Sequence, residues 1–95
     1  MLDEAIEILK KQTNIETSKK DWSFESVTAE REELDPDIID VNDCSLPDLV
    51  MTHLFLYVEP NSGEDYVVFF VMDTNSSRGL IRGLLVEGKL AWSEV

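Results

Sequence analysis

Carboxylates are the most conspicuous chemical groups of this chain, and they are concentrated in one stretch. Residues 30–48 contain eight acids and one base, Arg31, so this stretch carries −7 of the formal net charge of −12. Isolated apolar residues interrupt it, which predicts a long loop partly anchored to the body of the protein. The acids that we expect to contact a partner are Glu32, Glu33, Asp35, Asp37, Asp40 and Asp43.

A charge of this size and sign restricts the class of partner. Phosphate groups of nucleic acids and anionic membranes would be repelled, so we expect neither direct nucleic-acid binding nor membrane binding. A basic protein surface would be attracted at long range and then held by local burial. The sequence therefore predicts a small acidic binding protein of the inhibitor or immunity type, with a basic nuclease, toxin or DNA-binding protein as its partner.

Residue types that could support catalysis are few. His53 is the only histidine, and the sequence has no Gly-x-Ser-x-Gly nucleophile elbow to accompany it. Cys44 lies beside Asp43, whose negative charge opposes thiolate formation. No glycine-rich phosphate-binding motif occurs. We therefore predict that the protein is not an enzyme, has no catalytic residue and has no cofactor.

Metal binding is the second chemistry to consider. With one histidine and one cysteine, a tetrahedral zinc site would need additional carboxylates from unrelated positions. We assign no metal-ligating residue. The aspartates of the acidic loop are oxygen ligands that suit hard cations, so a small calcium- or magnesium-binding domain remains an alternative function.

The length of 95 residues predicts one domain that spans residues 1–95. Leu2, Ala5, Ile6 and Leu9 recur at helical spacing, which predicts an amphipathic helix over residues 1–13. Asn14 suits the position that follows a helix.

Runs of β-branched and aromatic residues predict strands after the helix. The clearest hairpin has strands at 49–58 and 66–72, joined by a turn rich in Pro, Asn, Ser and Gly. Residues 80–86 and 90–95 suit two more strands, with a helix over 80–90 as the rival. Residues 21–25 alternate as a strand does, and the chain then either continues as a bulged strand or forms a helical turn. The predicted fold class is α+β: an N-terminal helix packed on an antiparallel sheet of about four strands, with the long acidic loop before the central hairpin.

The second strand of this hairpin is apolar on both faces. The helix covers one face only, so the other requires a second layer, a partner or a ligand. Phe55 and Tyr57, in the first strand of the hairpin, are therefore added to the candidate partner-binding residues. The alternative function that follows is a chaperone-like or structural homodimer that uses an apolar strand face.

The unpaired cysteine and the acidic first turn predict a cytoplasmic protein. An odd cysteine cannot close an internal disulfide, and the first residues lack the basic and apolar regions of a signal peptide.

Overall fold

The computed structural model describes residues 1–34, 47–76 and 78–94. In these residues one N-terminal helix packs on a five-stranded antiparallel sheet, so the α+β prediction is confirmed with five strands instead of about four. Helix α1 is Leu2–Thr13, and the strands are β1 Trp22–Glu30, β2 Leu49–Val58, β3 Asp65–Asp73, β4 Gly79–Val86 and β5 Lys89–Glu94. Most of the predicted acidic loop lies outside the described residues.

Helix α1 forms where the sequence predicts it. Acids occupy its first turn and lysines its last turn, as the helix dipole favours. Asn14 ends it in the left-handed conformation, with φ of 64°, and its N–H donates to the Lys10 carbonyl over 2.8 Å. The buried face is Ala5, Ile8 and Leu9, so the expected stripe is rotated: Ile8 takes the central place and Ile6 is only half-buried.

The sheet is a simple meander in which each strand pairs with the next along the chain. Strand β1 follows β2 in continuous register from the Trp22–Tyr57 pair to the Glu30–Leu49 pair. The strand therefore continues without the bulge that we considered, and a single 3₁₀ turn at Arg31–Glu33 follows it. The prediction of a continued strand was therefore right as far as Glu30, and the prediction of a helical turn was right for Arg31–Glu33.

The rival helix over residues 80–90 is wrong, and the reason is a tight turn between β4 and β5. Glu87 and Gly88 both have positive φ, 52° and 79°, which is the conformation of a two-residue hairpin loop. The Glu87 N–H donates to the Asp65 carbonyl over 2.9 Å. This turn reverses the chain, so Lys89–Glu94 forms the last strand.

Hydrophobic residues form a separate cluster on each face of the sheet. The face that α1 covers holds Phe55, Tyr57, Val68, Phe70 and Leu84 with the buried side chains of the helix. The opposite face holds a smaller cluster, which consists of Val50, Phe69, Val71 and Ile81, with Leu34 packed against it. The apolar residues on the two sides of β3 thus belong to two separate clusters, one on each face of the sheet.

Candidate binding surface

Strand β1 is an exposed edge of the sheet. It pairs only with β2 among the described residues, and every side chain from Ser23 to Thr28 is exposed. Phe24 and Val27 are exposed apolar residues on it, at 59% and 43%. The unpaired backbone groups of an edge strand can pair with strands of other chains. Most edge strands are therefore short, or they contain a bulge, a lysine or a proline that prevents such pairing. Strand β1 has none of these protections.

An acidic turn lies at the end of this edge. We define it as Glu30, Glu32 and Glu33, which follow or close β1, together with Asp48, which precedes β2. All of these side chains are exposed. Antiparallel pairing of Glu30 with Leu49 brings the two chain segments together, and Glu30, Glu32, Asp48 and Leu49 line an open cleft of about 330 Å³.

The base within the acidic turn is engaged locally. Arg31 Nη2 lies 3.5 Å from Asp48 Oδ1, and the Arg31 N–H donates to the Asp48 carbonyl over 2.8 Å. Glu33 Oε1 accepts the Glu30 N–H over 3.3 Å, which orders the turn. Within the described part of the chain, no lysine or arginine forms an ion pair with Glu30, Glu32 or Glu33. The negative potential of this surface is therefore only partly compensated.

The predicted partner-binding residues divide into three groups. Glu32 and Glu33 are exposed in the acidic turn. Phe55 and Tyr57 are only 6% and 7% exposed, because β2 directs both side chains beneath α1. They are core residues in this fold, so they are not part of the candidate binding surface. Four further candidates lie outside the described residues: Asp35, Asp37, Asp40 and Asp43.

The sequence-based prediction missed three features of this surface: Glu30, Asp48 and the open edge of β1. Both acids belong to the acidic stretch of the sequence, but only the pairing of Glu30 with Leu49, the residue after Asp48, brings both acids to the same cleft. The alternation of residues 21–25 could have indicated this edge. Extended to Glu30, it predicts a long strand that contains no proline or lysine.

His53 is half-buried on the helix side of β2. Its Nδ1 lies 3.2 Å from the Ser26 Oγ, and the Phe24 ring stacks on it with centroids 5.7 Å apart. In a Ser-His-Asp triad, one ring nitrogen of the histidine contacts the serine and the other contacts a carboxylate. Among the described residues, His53 has the contact with Ser26 but no hydrogen bond to a carboxylate.

Two further findings concern the residues that the structure describes. They contain no group of three or more His, Cys, Asp or Glu side chains able to hold a metal ion. The aspartates of the calcium or magnesium alternative lie outside them, so that alternative stays a prediction. No described helix has the length and apolar character needed to cross a bilayer.

Comparison with known proteins gives no relative from which a function could be inferred. No protein-family model, no curated protein and no solved structure matches the chain.

Proposed function

We propose that this protein is a non-catalytic binding protein of the inhibitor or immunity type, which docks an acidic surface on a basic protein partner. The observation that carries the proposal is the acidic turn at the end of an open edge strand. Glu30, Glu32 and Asp48 line one cleft, Glu33 is exposed in the same turn, and the whole chain has a net charge of −12. Such a surface attracts a basic partner before contact and selects against acidic ones.

The edge of β1 supplies a way to hold the partner after this attraction. An extended segment can add to a sheet edge through main-chain hydrogen bonds, with side-chain contacts alternating along it. Strand β1 contains two acids, Glu25 and Glu30, and no base. Phe24 and Val27 offer apolar contacts on opposite faces of the strand. Glu30 shares a face with Phe24, and Glu25 shares a face with Val27. The complementary segment therefore carries a basic and an apolar residue on each of its two faces.

A direct test reverses the charge of the acidic turn. Partners are first captured with the purified protein and identified. The rate at which each partner associates with the protein is then measured at about 50 mM and about 500 mM salt. For the Glu32→Lys, Glu33→Lys double variant we expect association slower by about tenfold or more at low salt, because two of the four acids of the turn become positive charges and the attraction for a basic partner weakens. The Gln double variant keeps an acceptor at position 33 and is expected to lie between the two.

The matched control carries the same charge change elsewhere. Glu7→Lys with Glu16→Lys alters two exposed positions on and after α1 and should slow association far less. Equal effects of the two double variants would show that net charge, and not this surface, governs binding. An association rate independent of salt, or capture of acidic partners only, would contradict the proposal.

A second candidate function, a homodimer or chaperone-like protein, is favoured by exposed apolar residues on the sheet face opposite α1. Val58 and Leu90 are 56% and 39% exposed near the same end of this face, and half-buried Leu56, Val67 and Leu85 lie there too. Sedimentation velocity of the wild type and of Val58→Lys tests it. A wild-type dimer that the lysine disrupts would support it, and a monomer at every concentration would oppose it.

A further inference from the structure

All three methionines of the chain and its single histidine line one pocket. This pocket has a volume of about 200 Å³ and lies between the start of α1 and the ends of β2 and β3. Its lining consists of Met1, Met51, His53, Met72, Asp73 and Thr74. They come from three separate parts of the sequence, Met1, Met51 with His53, and Met72, and neither the acidic surface nor the edge of β1 requires them to meet.

The strand register brings the donor side chains together. Met51 on β2 is the direct cross-strand partner of Met72 on β3, which places their Cβ atoms about 5 Å apart. His53 lies two residues beyond Met51 and therefore points to the same face of the sheet. Met1 precedes the first residue of α1 and lies across the pocket from these strands.

The His53 ring is held in a defined orientation. Ser26 Oγ lies 3.2 Å from Nδ1, and the Phe24 ring stacks on the imidazole at an interplanar angle of 24°. Histidines that bind metals through one nitrogen usually have the other nitrogen hydrogen bonded to a group that orients the ring. Ser26 supplies this contact at Nδ1, which leaves Nε2 as the nitrogen for a ligand.

We propose that Met51, Met72 and His53 form a binding site for copper(I), with Met1 as an additional thioether at its mouth. Thioether sulfur and imidazole nitrogen are soft or borderline donors, and this combination selects copper(I) over hard cations such as calcium and magnesium. The donors are all neutral, which suits a monovalent ion. Asp73 in the lining and the net charge of −12 add a favourable field for a cation.

The exposure of the donors agrees with a ligand site. Met51, His53 and Met72 are half-buried, and Met1 is 48% exposed, so the site is open to an incoming ion. The competing explanation is that flexible methionine side chains only fill the irregular gap beside the helix. That explanation predicts no affinity for copper(I), so the two are separable by experiment.

The test is an anaerobic titration of copper(I) in competition with a chromophoric chelator such as bathocuproine disulfonate. The protein used carries residues 1–95 with Cys44→Ser, because the thiol of Cys44 would itself bind the ion. We expect the protein to withdraw a single copper(I) from the chelator, and to unfold at a higher temperature when copper(I) is present. No withdrawal of copper(I) at any chelator concentration would overturn the proposal.

Two variants in this background test the assigned ligands. Met51→Leu with Met72→Leu keeps side-chain volume and should lower the affinity for copper(I) by more than about 100-fold, because it removes two proposed ligands, and loss of a group that only orients a ligand already costs about 10- to 100-fold. Ser26→Ala should lower it by about tenfold without changing the unfolding temperature of the apoprotein, since Ser26 acts by positioning His53.

Thr28→Val is the control, because Thr28 is the cross-strand partner of Met51 on β1 and has no soft donor. Unchanged affinity in the double leucine variant would overturn the site. Circular dichroism of each variant confirms that it is folded. These results are independent of the acidic surface, so the copper(I) proposal and the proposed function can each fail alone.

Discussion

Arg82 on β4 joins α1 to the far edge of the sheet: its Nη1 lies 3.0 Å from Glu4 Oε2, in the first turn of the helix. Its Nη2 lies 3.0 Å from Glu94 Oε2 on β5, and the guanidinium carbon is 5.8 Å from the centroid of the Trp92 ring. One side chain therefore connects three elements. Both carboxylates help to hold the guanidinium in its charged form, which raises the pKa of Arg82.

We expect Arg82→Met to lower the free energy of unfolding by about 1 kcal/mol, because partly exposed ion pairs contribute modestly even when they form a fork. Chemical denaturation at low and at high salt measures the loss, which should shrink as salt screens the pairs in the wild type. Arg82→Lys is the control, since a lysine keeps the charge but not the two-pronged geometry. A loss independent of salt would assign the role of Arg82 to its packing on Trp92.

Gly83 is required by the ring of Phe69, which lies against the backbone of β4. A Cβ at position 83 would lie 2.7 Å from Phe69 Cε1 and 2.8 Å from the Trp92 carbonyl oxygen. Gly83→Ala should therefore destabilise the protein by about 1 to 3 kcal/mol through overpacking. Gly79→Ala is the matched control in the same strand, because the nearest atom to its Cβ is Met72 Sδ at 3.9 Å. Equal thermal stability of the two variants would contradict this explanation.

Tyr66 makes stability depend on pH in the alkaline range. Its hydroxyl donates to Glu64 Oε2 over 2.5 Å, and this bond, with burial, raises the pKa of Tyr66 from 10.0 to about 12. Below pH 10 the phenol is protonated in both states and its full contribution to stability is present. Between pH 10 and 12 the unfolded chain releases the proton first, so stability falls through this window.

Tyr66→Phe should flatten this part of the stability curve, as measured by urea unfolding at a series of pH values. Glu64→Gln is the second variant, because the amide oxygen still accepts the hydrogen bond but carries no charge. We expect it to reduce the alkaline decline without abolishing it. A wild-type curve with the same slope as that of Tyr66→Phe would show that other groups cause the decline.

Thr52 contains a buried hydroxyl without a hydrogen-bond partner in the part of the chain that the structure describes. Burial of a hydroxyl without a hydrogen-bond partner lowers the stability of the folded state. Valine has nearly the same shape as threonine but no hydroxyl, so it avoids this cost. Thr52→Val should raise the free energy of unfolding by about 1 kcal/mol. Thr28→Val, at an exposed position of β1, should change it by less than about 0.5 kcal/mol. A destabilised Thr52→Val variant would reveal a partner for the hydroxyl.

The local elements of this fold were accessible from residue patterns. The helix over residues 1–13 and the central hairpin were predicted within one or two residues of their observed bounds, since amphipathic spacing and turn residues act over short distances. The strand count was less accurate. The segment after Phe24 has no strong pattern of its own, and it becomes strand because β2 offers a pairing edge along its whole length.

The candidate sites depended more on tertiary structure. Phe55 and Tyr57 read as residues of an apolar strand, but their alternation does not tell which face of the strand the helix covers. Met51 and His53 share one face of β2 by alternation, and only the register of β2 against β3 brings Met72 beside them.

The sequence alone determined the charge, the helix, the central hairpin and the concentration of acids in one stretch, because these depend on composition and on neighbours along the chain. Only the tertiary structure decided which strands form the edges of the sheet, which apolar side chains are buried and which donors from different elements share a pocket. Those properties follow from strand order, register and the docking of α1, and they arise from contacts between residues that are far apart in sequence.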